Sequence, residues 1–328
     1  MSKPTLLALA AALAIGQPAQ AEARTILITN DDGLTSNVVA LYRALKSDGH
    51  DVIVSVPCTN QSGMGAAIEI ARPLAPLDEA CVGDAAGIGA PGAGPVTRKG
   101  LGDDFYYVDS TPVVALYHGL DVVAQQRWGA APDLVLSGPN EGQNVGSIIL
   151  SSGTVSAAQV AALYGLSAIA LSAGANTEDE GLAHPLSTVV GELAADLVEA
   201  LDARSDGGRL LPEGLALNVN FPDDPTGAAW QLTEIGTYQA YQAGFAADMA
   251  ADASPVLAAM AAARGMKLPN LPGLVFGFND AEPTAEQLDD EAFVYRSDIA
   301  VSPMQAGYGV ESPSKEWLDW LLEDLISE

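Results

Sequence analysis

The chain has 328 residues, 48% hydrophobic and 17% charged, enough for a sizeable buried core in one large domain or two. Its 42 acidic and 14 basic residues give a formal charge of −28. Such a chain repels DNA, RNA and anionic lipid, which disfavours a nucleic-acid polymer as partner, and it admits an anionic small substrate only beside a bound cation. The same charge suits solubility in a salty or extracellular medium.

The first residues read as an export signal. Lys3 precedes an unbroken apolar run, Leu6 to Ile15, which is too short to span a bilayer; Gly16 and Pro18 break it, and Ala19-Gln20-Ala21 fits a small-x-small cleavage site. The expectation is a signal peptide over residues 1–21, a mature chain over 22–328 in the periplasm or secreted, and no membrane contact after cleavage. Thr25 to Thr29 is a short β-branched run, read as a buried strand that ends in Asn30-Asp31-Asp32-Gly33. A helix follows, with Ser36 as N-cap, Val38, Leu41, Tyr42 and Leu45 on one face, and Gly49 after its end. Val52 to Val56 is a second strand, so the first two strands should be parallel with a right-handed crossover.

Gly83 to Gly102 is rich in Gly, Ala and Pro and reads as a loop or flexible insert. Leu134 to Leu136 reads as a strand, followed by a loop from Ser137 to Gly146. Thr154 is the expected cap of a helix over Val155 to Tyr164; Ala168 to Ser172 and Leu215 to Phe221 read as strands around a helix from Leu186 to Leu201. Strands alternating with helices predict a doubly wound α/β sheet. The sheet core is expected over about residues 24–222, with a lid or dimer segment and a terminal helix over 223–328. Within that part Ala246 to Gly273 is Ala-rich, then Pro-rich, and Trp317, Leu318, Leu321, Leu322 and Leu325 give the terminal helix one apolar face. Cys58 and Cys81 read either as a disulfide or as two buried thiols; neither has CxxC spacing. His50, His118 and His184 are scattered and read as surface or loop residues, and Arg98-Lys99 as a solvated pair.

The chemistry points to the loops after the strands. In an open α/β sheet ligands bind beyond the carboxyl ends of the strands. Asp31 and Asp32 lie there side by side, and two adjacent carboxylates are costly unless a cation stands between them. Hard oxygen donors suit Mg²⁺ or Mn²⁺, with Ca²⁺ also compatible. Alone, the motif reads equally as an acidic turn. Asn60-Gln61-Ser62-Gly63 and the segment Ser137 to Gly146 would sit on the same sheet edge. Ser152-Gly153-Thr154 opens a helix, whose free N–H groups and partial positive charge suit phosphate.

In order and spacing, NDDG, NQSG, SGPNEGQNVG, SSGTVSAA and a late SPMQ resemble the SurE family of nucleotidases, over roughly Thr25 to Gln305. The resemblance implies a Rossmann-like, three-layer, mostly parallel sheet with an extended C-terminal part used in dimerisation, giving a homodimer or a dimer of dimers. It also implies a divalent metal held by Asp31, Asp32, Ser62 and Asn140, with Asn144 and Ser152 near the bound phosphate. Asp109-Ser110-Thr111-Pro112 is similar to the family's DGTP segment. Leu34 to Asn37, Val113-Val114 and the Gly83 to Gly102 insert depart from the family pattern around the site, which bears on substrate choice more than on the reaction.

The implied activity is that of a divalent-metal-dependent phosphomonoester hydrolase, a 5′-nucleotidase releasing phosphate from nucleoside 5′- or 3′-monophosphates. Asp31 and Asp32 would be its catalytic pair, and Asn144, Ser152, Gly153 and Thr154 its substrate contacts. The alternatives are a broad acid phosphatase on the same site and a catalytically silent periplasmic nucleotide-binding protein.

Overall fold

The computed structural model describes residues 23–177, 179–263, 265–309 and 312–323, so the whole expected signal peptide lies outside the described residues, as does Leu325. The chain opens with β1 (Thr25–Thr29), α1 (Ser36–Ser47) and β2 (Asp51–Pro57). The insert contributes β3 (Ala93–Pro95), followed by β4 (Phe105–Val108), α2 (Pro112–His118), a π-helical stretch over Gly119–Ala124 and α3 (Gln125–Trp128). Next come β5 (Leu134–Glu141), α4 (Gly153–Leu163), β6 (Ser167–Ala173), α5 (Pro185–Ser205) and β7 (Leu215–Asn220). The last third holds β8 (Trp230–Leu232), β9 (Tyr241–Ala246), α6 (Met249–Asp252), α7 (Pro255–Ala263), β10 (Gly273–Phe278), α8 (Glu291–Val294), β11 (Ile299–Gln305) and α9 (Ser312–Leu321).

Nine strands form one sheet in the order β3-β4-β2-β1-β5-β6-β7-β11-β8. The run from β4 to β7 is parallel, with β1 central: Ile26 pairs with Val52 on one side and Leu134 on the other. β11 returns antiparallel to β7, and β3 lies antiparallel on β4. β1 and β6 are almost wholly buried because helices cover both faces, and this is why they read as continuous apolar runs rather than as alternation. Ile26, Ile28, Val52, Val54, Leu134 and Leu136 face one cluster, filled by Val38, Leu41 and Leu45 of α1 and Val190, Ala194 and Val198 of α5. Leu27, Ile53 and Val135 face the other, filled from α2, the π-helical stretch and α4. The result is the expected three-layer α/β fold with a mostly parallel sheet.

Several local details differ from expectation. α1 is capped by Thr35, whose Oγ1 accepts the Val38 N–H at 3.3 Å, and Ser36 is its first residue. α4 begins at Gly153 with Ser152 as its cap, not Thr154. β5 runs on through Asn140 and Glu141, within the segment expected to be a loop. The main sheet also takes in β8 and β11, while β9 and β10 pair separately as an antiparallel hairpin around α6 and α7. Cys58 and Cys81 are paired, which settles the open alternative. His50 lies in the loop between α1 and β2, as the reading allowed, but it is buried there, its Nδ1 accepting the Arg24 N–H at 3.1 Å. Arg98 is docked rather than solvated: it donates to the carbonyls of Gly83 at 2.8 Å and Glu180 at 3.0 Å, fastening the insert to the loop before α5.

Candidate active site

The carboxyl ends of β1, β2 and β5 meet the start of α4. After β1 the chain turns through Asn30 to Gly33. The Asn30 side chain closes this turn by donating to the Gly33 carbonyl at 2.7 Å and accepting the Gly33 N–H at 3.1 Å. Gly33 has φ +90°, a conformation that side-chain-bearing residues rarely adopt. The turn is tied to the loop after β2 by the Gln61 N–H, which donates to the Asp31 carbonyl at 2.7 Å.

Both carboxylates point inward, Asp31 at 2% and Asp32 at 3% exposure. Asp31 Oδ2 accepts the Gly153 N–H at 3.1 Å, and its Oδ1 accepts the Thr154 hydroxyl at 2.5 Å. Asp32 Oδ2 accepts the Glu141 N–H at 2.8 Å; its Oδ1 accepts from Asn60 Nδ2 at 2.8 Å and from the Ser62 hydroxyl at 3.4 Å. Asn140 Oδ1 lies 3.2 Å from Thr154 Oγ1, and Asn140 Nδ2 donates to the Gly142 carbonyl at 2.7 Å. Pairing of β5 with β6 shifts register between Ser137 and Asn140, and irregularities of this kind re-aim side chains near active sites.

The helix start is pressed against Asp31. A Cβ on Gly153 would come within 2.7 Å of Asp31 Cβ and 2.6 Å of Pro112 Cγ, so only glycine fits between them. The partial positive charge of the α4 N-terminus therefore falls on Asp31. Ser152 Oγ accepts the Val155 N–H at 3.1 Å, leaving its hydroxyl proton for another acceptor. Asn144 is fixed on several sides. Its N–H donates to Asn220 Oδ1 at 2.8 Å, its carbonyl accepts from Asn218 at 2.9 Å and Asn220 at 3.1 Å, and its Nδ2 donates to Ser172 Oγ at 2.9 Å.

Burial raises the pKa of both aspartates. Asp32 is pushed well above the ordinary carboxylate range, by burial first and then by the charges of Asp31 and Glu141. Asp31 is raised by burial and partly offset by the Thr154 hydroxyl and nearby backbone N–H groups. Among the described residues no three His, Cys, Asp or Glu side chains gather as a metal cluster. The donors that do converge are two carboxylates with neutral oxygens beside them, and Asp31 Oδ1 and Asn140 Oδ1 compete for the single Thr154 proton. That surplus of acceptors fits a hard divalent cation.

The structure bonds Asp31 to Gly153 and Thr154, Thr154 to Asn140, and Asp32 to Ser62, the two groups being linked through the chain at Asp31-Asp32, while Ser152 caps the same helix start and Asn144 lies on the adjoining loop. Sequence reasoning passed over the roles of Asn60, Ser172, Asn218 and Asn220. The last two had a signal: in Leu215–Asn220 the asparagines recur at every second residue, which puts both on one face of a strand.

A profile of the family described as "Survival protein SurE" matches residues 26–242. A "5′-nucleotidase SurE" of Thermosipho melanesiensis is 31% identical over 212 residues, covering 63% of this chain and 69% of the relative. One from Solidesulfovibrio magneticus is 37% identical over 201 residues, covering 61% and 66%. An "Acid phosphatase" of Yarrowia lipolytica is 32% identical over 231 residues, covering 66% and 62%. The crystal structure of the SurE protein from Aquifex aeolicus superposes with a TM-score of 0.62 at 24% identity, covering 90% of this chain and 99% of that one; the likeness is one of fold.

Proposed function

The chain belongs to the survival protein SurE family, and from that premise we propose that it is a metal-dependent phosphomonoester hydrolase acting on nucleoside 5′- or 3′-monophosphates. The single observation that carries this reading is the buried pair Asp31 and Asp32 set against the N-terminus of α4. Relatives named 5′-nucleotidase SurE support the choice of substrate.

Asp31, Asp32, Asn140 and Ser62 would hold the divalent ion, Mg²⁺ or Mn²⁺. When bound, such an ion polarises the phosphoryl group and neutralises charge that builds on it. The remaining work falls to the chain. The carboxylate pair accepts the proton of the attacking water. Ser152 Oγ–H and the second amide hydrogen of Asn144, the first being committed to Ser172, donate to phosphoryl oxygens. The N-terminal turn of α4, Gly153 and Thr154, adds positive potential and holds Asp31 in place.

A broad acid phosphatase is the second reading, favoured by the Yarrowia lipolytica relative of that name. A phosphate-release screen with added metal decides between them. Nucleoside monophosphates should turn over with a higher kcat/KM than p-nitrophenyl phosphate. Equal rates on both would favour the acid phosphatase, and no release from any ester would leave a binding protein.

The protein is further proposed to be exported and homodimeric. The Lys3 to Ala21 series and the Cys58–Cys81 disulfide support export to an oxidising compartment. The exposed apolar side chains Trp317, Leu318, Trp320 and Leu321 on α9 support a partner for that face. Native mass spectrometry of protein from its host reads both: a dimer of chains beginning at Glu22 is expected. A monomer, or chains beginning at Met1, would overturn one or the other.

A further inference from the structure

Glu291 lies 145 residues after Gly146, in α8, and beyond the residues the family profile matches. It is fully buried, at 0% exposure, with no cation bonded to it among the described contacts. Its Oε1 accepts the Gly146 N–H at 2.7 Å and its Oε2 the Gly236 N–H at 3.1 Å. A buried carboxylate is costly unless it is well hydrogen-bonded, and an apolar residue of that size would fill the same space more cheaply. Retaining the charge therefore calls for a reason in what it holds.

What it holds is the loop that carries Asn144. Gly146 has φ +59°, and its N–H donates to Glu291. The neighbouring N–H groups are captured in the same manner: Asn144 by Asn220 Oδ1 at 2.8 Å and Ser147 by Gln239 Oε1 at 2.7 Å. Val145, between them, packs with Tyr238, Ala240 and Ala292. Asp290, the residue before Glu291, fixes the intervening strap by accepting the N–H groups of Thr237 at 2.8 Å and Tyr238 at 2.7 Å. The Asn144 loop is thus braced both by β7, through Asn220, and from outside the parallel core, where the Glu291 carboxylate accepts its Gly146 N–H.

We propose that Glu291 is a positioning residue for phosphate recognition: through the Gly146 N–H it sets the Asn144 amide against the phosphoryl group. The inference rests on the reading of Asn144 as a substrate contact. A charge-assisted hydrogen bond lost in a buried site corresponds to roughly a tenfold effect or more. Glu291→Met keeps the volume and removes both acceptors. It should lower kcat/KM at saturating metal about tenfold. It should also weaken competitive inhibition by inorganic phosphate by a similar factor, with the metal concentration for half-activity unchanged. Glu291→Gln, whose carbonyl oxygen can still serve Gly146, should recover most of the loss.

In an Asn144→Ala background Glu291→Met should add little, because both act on one contact. A purely structural role predicts full additivity and a phosphate inhibition constant that does not move; either result overturns the inference. If Glu291→Met does not fold, Glu291→Asp, which keeps the charge but retracts it by one methylene, takes its place with the same expectations. An inactive wild type would instead sink the hydrolase reading. An active wild type with a normal Asn144→Ala variant would sink the inference alone.

Discussion

Asp31 and Asp32 are at once the most costly residues of the fold and the most useful. Each is almost fully buried; burial raises both pKa values above the ordinary 3.8, and the charge of Asp31 raises that of Asp32 further. Asp31→Asn removes one charge and keeps the shape. Metal-based charge stabilisation is worth several kcal/mol, so a rate loss on the order of a hundredfold or more is expected at saturating metal. The fold should not suffer. In the metal-free protein the melting temperature should be unchanged or higher at neutral pH, because one of two neighbouring buried carboxylates becomes a neutral amide. The sign of the pH dependence follows from the raised pKa. Between the folded value and 3.8 the native state binds more protons than the unfolded state, so the wild type gains stability as pH falls through the folded value. The advantage of Asp31→Asn should therefore shrink on acidification. Near-normal turnover, or an advantage that grows in acid, would leave Asp31 as a turn residue only. This pair was legible in the sequence through its company: NDDG alone reads equally as an acidic turn, and the loops expected on the same sheet edge are what pointed to it. Glu291 was not legible: an acidic residue in a polar stretch looks solvated until the fold buries it.

Among the elements, those that pack against both layers were the easiest to read. β1, α1, β2, β6 and α5 carry long apolar runs or clear helical periodicity, because each is buried along its length or along one face. β3 and β8 have three residues each and lie at the two edges of the sheet, too short for any period to register. β11 contains Ser302, Pro303 and Gln305, so it lacks the continuous apolar run that marks the central strands. The Gly83 to Gly102 insert read as flexible for want of periodicity, yet it is held by contacts that composition does not reveal: the disulfide at its root and the Arg98 bonds to two backbone carbonyls. Cys58 directly follows β2 and opens the loop that carries Asn60 and Ser62, so the disulfide anchors a loop of the site as well as the insert. For a closed loop spanning 23 positions the chain-entropy argument gives about 3 kcal/mol of stabilisation. Replacing both cysteines by serine should lower the midpoint of chemical denaturation accordingly, with the denaturant slope read alongside to expose changes in the unfolded state. An unaltered midpoint would show that packing alone secures the insert.

At the scale of the whole molecule, charge and site oppose each other. A chain with a formal charge of −28 would have to accept an anionic ester, and a buried acidic pair lies at the proposed site. Positive potential there comes from the N-terminus of α4, and that is already engaged with Asp31. The Rossmann-like layering places these groups together at the carboxyl edge of the sheet but cannot by itself attract the substrate. A divalent cation held as proposed would resolve the conflict: it would occupy the acceptors left in surplus by Asp31, Asp32, Asn140 and Ser62 and reverse the local field. Metal dependence is the central claim, and release of phosphate from a nucleoside monophosphate before and after chelation tests it most directly. EDTA followed by desalting should abolish release, and Mg²⁺ or Mn²⁺ should restore it; full activity in the stripped, metal-free protein would contradict the account.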